Sequence, residues 1–116
     1  FFSKYEDIFS IPRQTNNTRT GWLAYPILIN EKAKFKRKDF QIFLEKRDIQ
    51  TRVVFTGNII RQPMMKNVEY RTNSNGYPNA DAVMERGVLL PLHHGMKDSM
   101  FERLHETIEE FIKDKN

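Results

Sequence analysis

Two hydrophobic rhythms alternate along this chain. Phe1, Phe2, Tyr5, Ile8 and Phe9 recur at i, i+3 and i+4, the spacing that lines up one face of a helix. This predicts a first helix that continues a longer element, with aromatic residues that must cover something. The polar stretch "SIPRQTNNTRTG" (10–21) reads as a connector. In "WLAYPILI" (22–29) both alternating sets are apolar, which predicts a strand covered on both faces. Pro26 offers no amide donor, so that strand lies at an edge or carries a bulge there.

Period 3.6 returns in "KDFQIFLEKR" (38–47), where Phe40, Phe43 and Leu44 form a stripe and Asp39 suits the positive end of the helix dipole. "IQTRVVF" (49–55) is rich in β-branched residues and predicts a strand. Residues 56–78 show no apolar period, apart from one short turn near Pro63. "NADAVMER" (79–86) predicts a short helix with Asn79 as cap, Ala80, Val83 and Met84 inward, and Gly87 as its stop. "VLLPLH" (88–93) predicts a third strand. The closing helix spans 98–113 with Phe101, Leu104, Ile108 and Phe111 on its stripe and Ser99 and Glu102 at capping-box spacing. The order α–β–α–β–loop–α–β–α predicts an α/β (α+β) fold, a small sheet of about three strands packed by helices.

Composition changes this picture little. A chain of 116 residues forms one domain at most, and 39% apolar with 29% charged residues is ordinary for a globular protein. The absence of cysteine excludes disulfides, a cysteine nucleophile and thiolate ligation of zinc or iron–sulfur within these residues. No apolar run has the length of a membrane span and no signal-peptide pattern opens the chain, and the absence of cysteine fits a cytoplasmic setting. The net charge of +4 is a mild basic excess, with five basic residues concentrated in "KAKFKRKDF" (32–40). Such a run is either a phosphate or nucleic-acid contact or a solvated turn before a helix.

The candidate chemistry is sparse. His93 and His94 are adjacent, so on a strand their rings point to opposite faces and do not converge on a metal. One of them is expected to line a cleft at the strand end. No glycine-rich phosphate loop and no nucleophile with a paired base is present, so no catalytic residue is assigned. "FTGNIIRQP" (55–63) is more suggestive. Arg52, Asn58 and Arg61 flank the strand-to-loop junction, combining a guanidinium fork for phosphate with an amide that donates and accepts. The alternative is that Arg52 is a surface residue and Asn58 a turn residue beside Gly57. An irregular segment this long is usually functional or disordered, and its aromatic, apolar and cationic residues together favour function.

"GWLAYPILI", "FKRKDFQIFLEKRDIQTRVVFTGNIIRQP" and "NADAVMERGVLLPLHHGM" resemble the C-terminal part of the DegT-type sugar aminotransferase family, pyridoxal-phosphate enzymes of aminotransferase fold type I. The resemblance covers nearly the whole chain. It is nearest to the nucleotide-linked 4-keto-6-deoxyhexose 3-dehydratases of lipopolysaccharide sugar synthesis. Arg52, Phe55, Gly57, Asn58, Arg61, Gln62 and Pro63 carry that match, with Asn79, Ala80, Asp81, Met84 and Gly87.

The resemblance implies a fragment: residues 1–20 as the end of an interdomain helix and connector, and 21–116 as a small C-terminal domain. The anchoring lysine (or the histidine that replaces it in dehydratases), the aspartate at the pyridine nitrogen and the phosphate cup would lie outside it. So would the cysteines of an iron–sulfur cluster, where one occurs. The implied cofactor is pyridoxal or pyridoxamine phosphate (PLP or PMP), and the implied partners are a nucleotide-linked 4-keto-6-deoxyhexose, the protein's own N-terminal large domain and a second subunit in a homodimer. No nucleic acid and no membrane is implied. The isolated chain would be inactive, with Arg52, Phe55, Asn58, Arg61, His93 and His94 as substrate contacts. Three other readings stand beside this one: a nucleotide-sugar aminotransferase, a free-standing RNA-binding module, and a purely structural or oligomer-forming piece.

Overall fold

The computed structural model describes residues 1–115. Its four strands are β1 (Phe9–Ser10), β2 (Tyr25–Ile29), β3 (Arg52–Val53) and β4 (Gly87–Leu90). They form one antiparallel sheet in the order β1–β2–β4–β3. The helices are α1 (Arg37–Glu45), α2 (Pro78–Arg86) and α3 (Asp98–Lys115). The small helix-packed α/β sheet is as the sequence predicts, with one strand more, supplied by the start of the chain.

That start corrects the predicted first helix. Phe2–Tyr5 make a single 3₁₀ turn, and the chain then extends so that Phe9 pairs with Ile29. The aromatic spacing arises because the chain's own core needs it. Phe2 packs edge-on against Phe9 and face-on against Tyr25, and Phe1 stacks on His105 with ring centroids 4.1 Å apart. The predicted need for an outside cover is met internally for Phe2 and Phe9, which are both buried.

β2 begins three residues later than predicted and is buried on one face only, through Ile27 and Ile29, with Pro26 and Leu28 half-covered. Pro26 pairs with Leu89 of β4, but β1 stops at the level of Leu28, so the missing amide donor leaves no ladder bond unmade on that side. β3 is shorter than predicted, two exposed residues, because Ile49 and Thr51 are instead drawn into the core side of the loop that leads to it. Helix α1 ends in a Schellman-like turn: Asp48 takes φ 58 and the Ile49 amide donates to the Leu44 carbonyl at 3.1 Å.

The core lies between the sheet and α1 and α3. Phe40, Leu44, Ile108 and Phe111 meet Ile27, Ile29, Val88 and Leu90, all almost fully enclosed. Phe111 is the hub, with the rings of Phe35, Phe40 and Phe43 arranged edge-on at 4.7, 5.2 and 5.0 Å. Fully burying each such side chain is worth about 2–3 kcal/mol.

Helix α2 runs straight into β4. Tyr77 stands at the cap position and Pro78 takes the first helical position, so Asn79 is inside the helix rather than its cap. Gly87 does not stop the helix through a left-handed turn; it is extended and opens β4. Its lack of a side chain matters for space, since a Cβ there would lie 2.6 Å from the Val83 carbonyl oxygen and 2.9 Å from Val54. The last turn of α2 is capped from outside, because Arg37 donates to the Met84 carbonyl at 2.6 Å. The basic run is thereby split: Arg37 is built into the fold, while Lys32, Lys34, Lys36 and Lys38 are solvated. Among the described residues no helix is long and apolar enough to cross a membrane.

Candidate functional site

The segment from Thr51 to Gln62 is held at three points. The first is Thr51, buried, whose amide and hydroxyl both donate to the Glu45 carboxylate at 2.6 and 2.9 Å, while Gln41 donates to the hydroxyl oxygen at 3.1 Å. Both partners belong to α1. Arg52 therefore leaves a fixed point and stands exposed on the outer strand of the sheet, opposite Leu89.

The second point is Gly57. It has φ +64, and a Cβ built there would fall 2.3 Å from the Cβ of Met84. Both the left-handed backbone and the contact with α2 exclude a side chain. The Gly57 amide donates to the Val54 carbonyl at 3.0 Å, closing a tight turn around Phe55 and Thr56. Phe55 has φ 45 in that turn, an unfavourable conformation for an aromatic residue, and its ring is 85% exposed.

The third point is polar. Asn58 is 3% exposed and spends both ends of its amide. Its oxygen accepts the Ile60 amide at 3.2 Å, capping the 3₁₀ turn Ile59–Arg61, and its nitrogen donates to Asp81 Oδ1 at 2.8 Å. Arg61 grips the same carboxylate, Nε to Oδ1 and Nη2 to Oδ2, each at 3.0 Å. The Arg61 hydrogen bonds, and after them that of Asn58, hold the Asp81 carboxyl well below its ordinary value, at about 2. Gln62 adds a bond from its amide to the Thr56 carbonyl at 2.7 Å. Between these pins Arg52, Val53, Phe55, Thr56 and Ile59 stay exposed, and Arg52 is the charged group among them.

The structure thus brings Arg52, Phe55, Asn58 and Arg61 onto one pinned segment but gives them different surroundings. Arg52 and Phe55 are exposed, Asn58 is enclosed, and Arg61 is exposed but paired. His93 and His94 are not part of that segment. β4 ends at Leu90, so the predicted strand stops short and both histidines fall in the following turn, exposed, with ring centroids 6.4 Å apart. His93 Nδ1 accepts the Gly95 amide at 3.1 Å, which leaves Nε2 to carry the proton of the neutral ring. The third histidine, His105, is packed against Phe1, and burial pushes its pKa down. No three His, Asp or Glu residues converge on a possible metal site among the described residues.

Asp81 is the residue that reading for chemistry passes over. It lies in "NADAVMER" as one more acid in a helix first turn, and its partners are 20 and 23 positions away. Only its place in the matched motif singles it out. The assembled segment offers a planar cation and an aromatic face on a rigid mount, suited to a phosphate-bearing ligand with a ring to stack. It offers no general acid or base. All ten lysines are exposed, so no enclosed amine is available to an aldehyde cofactor among the described residues.

Residues 2–109 match the DegT/DnrJ/EryC1/StrS aminotransferase family. The chain is 34% identical over 102 residues to dTDP-4-dehydro-2,6-dideoxy-D-glucose 3-dehydratase of Saccharopolyspora spinosa, which covers 88% of this chain and 22% of that protein. It is 29% identical over 106 residues to the lipopolysaccharide biosynthesis protein RfbH of Salmonella typhimurium, covering 91% of this chain and 24% of that one. The chain therefore spans about a quarter of the length of these relatives. Its fold is shared with E. coli GDP-4-keto-6-deoxy-D-mannose-3-dehydratase, solved with bound hydrated PLP, at a TM-score of 0.77 and 20% identity, over 91% of this chain and 27% of that one.

Proposed function

We propose that this chain, which belongs to the DegT/DnrJ/EryC1/StrS aminotransferase family, is the substrate-closing C-terminal part of a PLP- or PMP-dependent 3-dehydratase acting on a nucleotide-linked 4-keto-6-deoxyhexose. In this reading residues 1–20 lead in from a large cofactor domain. Residues 21–116 form the small domain, to whose sheet Phe9–Ser10 add a strand. The observation that carries the proposal is the pinned segment 51–62, which lies in "TRVVFTGNIIRQP" (51–63), the pattern that narrows the family to its dehydratase branch. Identity to a relative named as a 3-dehydratase supports it.

In this reading the cofactor and the groups that act on it belong to the rest of the polypeptide. When bound, such a cofactor supplies the electron sink for removing the 3-hydroxyl. This chain's share is to bind and orient. Arg52 meets the diphosphate, Phe55 covers the sugar or base face, and the clasp of Asn58 and Arg61 keeps both in place. His93 or His94 faces the cleft from the turn after β4. A homodimer, and an iron–sulfur cluster outside this chain, belong to the same proposal.

The family is described as one of aminotransferases, which favours a second reading; on a 4-keto sugar that is transamination at C4. Product analysis with the full-length enzyme separates the two. With dTDP-4-dehydro-2,6-dideoxy-D-glucose or GDP-4-keto-6-deoxy-D-mannose as substrate, the expected product lacks the 3-hydroxyl and carries no amino group on the sugar. A 4-amino sugar establishes the second reading, and conversion of neither substrate with PLP or PMP, an amino donor and a one-electron reductant present overturns both. Histidine at the cofactor-anchoring position of the full-length gene is expected, where lysine would mark an aminotransferase.

A further inference from the structure

The contacts of the pinned segment divide its residues by role. Asn58 has both ends of its amide engaged within the fold and almost no exposed surface, so it has nothing to offer a ligand. Arg61 is turned onto a carboxylate with two hydrogen bonds, which cancels most of its attraction for a second anion. Arg52, by contrast, is an exposed guanidinium in the outer strand, and Phe55 is an exposed ring on a strained backbone. An exposed aromatic residue persists at φ 45 only where its neighbours over-determine the turn. Here the determinants are the Gly57–Val54 hydrogen bond, the Gln62–Thr56 hydrogen bond and the hold of α2 on Asn58 and Arg61.

We infer that Asp81 is a positioning residue, which clasps Asn58 and Arg61 to helix α2 and so holds Arg52 and Phe55 toward the nucleotide sugar. The inference rests on the functional reading above and sharpens it. Arg61 acts through Asp81 and is not itself the diphosphate ligand. Asp81 never touches substrate. The free cation that meets the anion is Arg52.

The test is a double-mutant cycle in the full-length enzyme. D81N keeps the shape of the side chain and removes its charge. It is expected to raise KM for the nucleotide sugar about tenfold with kcat within about twofold, as for the loss of roughly one charge-assisted hydrogen bond. R61A is expected to raise KM by a similar factor. The D81N/R61A double variant is expected to be no worse than either single one, because all three break the same clasp. R52A, which removes the contact that the clasp positions, is expected to mask much of the D81N effect, so that R52A and D81N multiply less than fully. A readout independent of activity is tryptic cleavage after Arg61, slow in the wild type and faster in D81N once the guanidinium is released. KM effects of D81N and R61A that multiply overturn the inference, and so does a D81N variant with unchanged KM and unchanged cleavage. If the wild type fails to bind either nucleotide sugar in a calorimetric titration, the functional reading falls, while the cleavage rates still judge the clasp on its own.

Discussion

Gly57 makes the most exacting demand of any single residue in the candidate site. Its φ of +64 strains any L side chain, and the 2.3 Å approach to Met84 leaves no room for one. Gly57→Ala should therefore destabilise the chain by about 2–4 kcal/mol, a sum of backbone strain and overpacking. Thermal or urea unfolding checks this, and a loss below about half a kcal/mol would mean that the loop does not rest on α2. Asp81 makes a second prediction at this scale. Its carboxyl is held at about 2 against an ordinary 3.8, first by Arg61. A lowered folded value means that the clasp is fully present above the unfolded pKa and is lost as pH falls through the folded one. The side-chain amide resonances of Asn58, followed by NMR from pH 6 downward, are expected to shift with a midpoint of about 2. A midpoint at the ordinary 3.8 would show that the ion pair is not populated.

The elements themselves rest on the aromatic hub between α1 and α3. Phe111 touches Phe35, Phe40 and Phe43 edge-on and is 1% exposed. Phe111→Ala should cost about 3–5 kcal/mol, and Phe111→Leu markedly less because it leaves a smaller void. Equal losses for the two would mean that the cavity term is absent and that the rings are not packed as described. These helices were legible in the sequence, since Phe40 and Leu44 in α1, and Leu104, Ile108 and Phe111 in α3, fall on two stripes at period 3.6. The start of the chain misled for a physical reason. Phe1, Phe2, Tyr5 and Phe9 have helical spacing, but β2 would otherwise be an open edge, and pairing Phe9 with Ile29 satisfied backbone groups that a continued helix would have left on β2. The strand ends were misplaced where a hydrophobic run outlasted its ladder, as in "VLLPLH", where Pro91 cannot donate a ladder bond and the strand stops at Leu90. The candidate site was legible as a place, through "FTGN" and "RQP". Its division of labour was not, because nothing local in the sequence joins Asn58 and Arg61 to a carboxylate more than 19 positions on.

At the scale of the whole molecule, lysines and cavities do not coincide as a PLP enzyme requires. An aldehyde cofactor needs an amine that is enclosed, close to a phosphate site and shielded from bulk water. The apolar cavity bordered by Phe1, Trp22, Tyr25, Phe101 and His105, about 420 Å³, has no lysine in its lining. The larger groove of about 840 Å³ beside Phe35 and Arg86 does have Lys34, Lys36 and Lys38, but all three are solvated. An exposed lysine forms a Schiff base that water reverses, and ten of them compete. Titrating the chain 1–116 with PLP is therefore expected to give weak visible absorbance that rises without saturating, divided among many lysines after borohydride trapping and peptide mapping. One lysine taking most of the label, with saturation at about one equivalent and affinity in the micromolar range or better, would place a cofactor site within this chain. That outcome would overturn its assignment as the substrate-closing part of a larger enzyme.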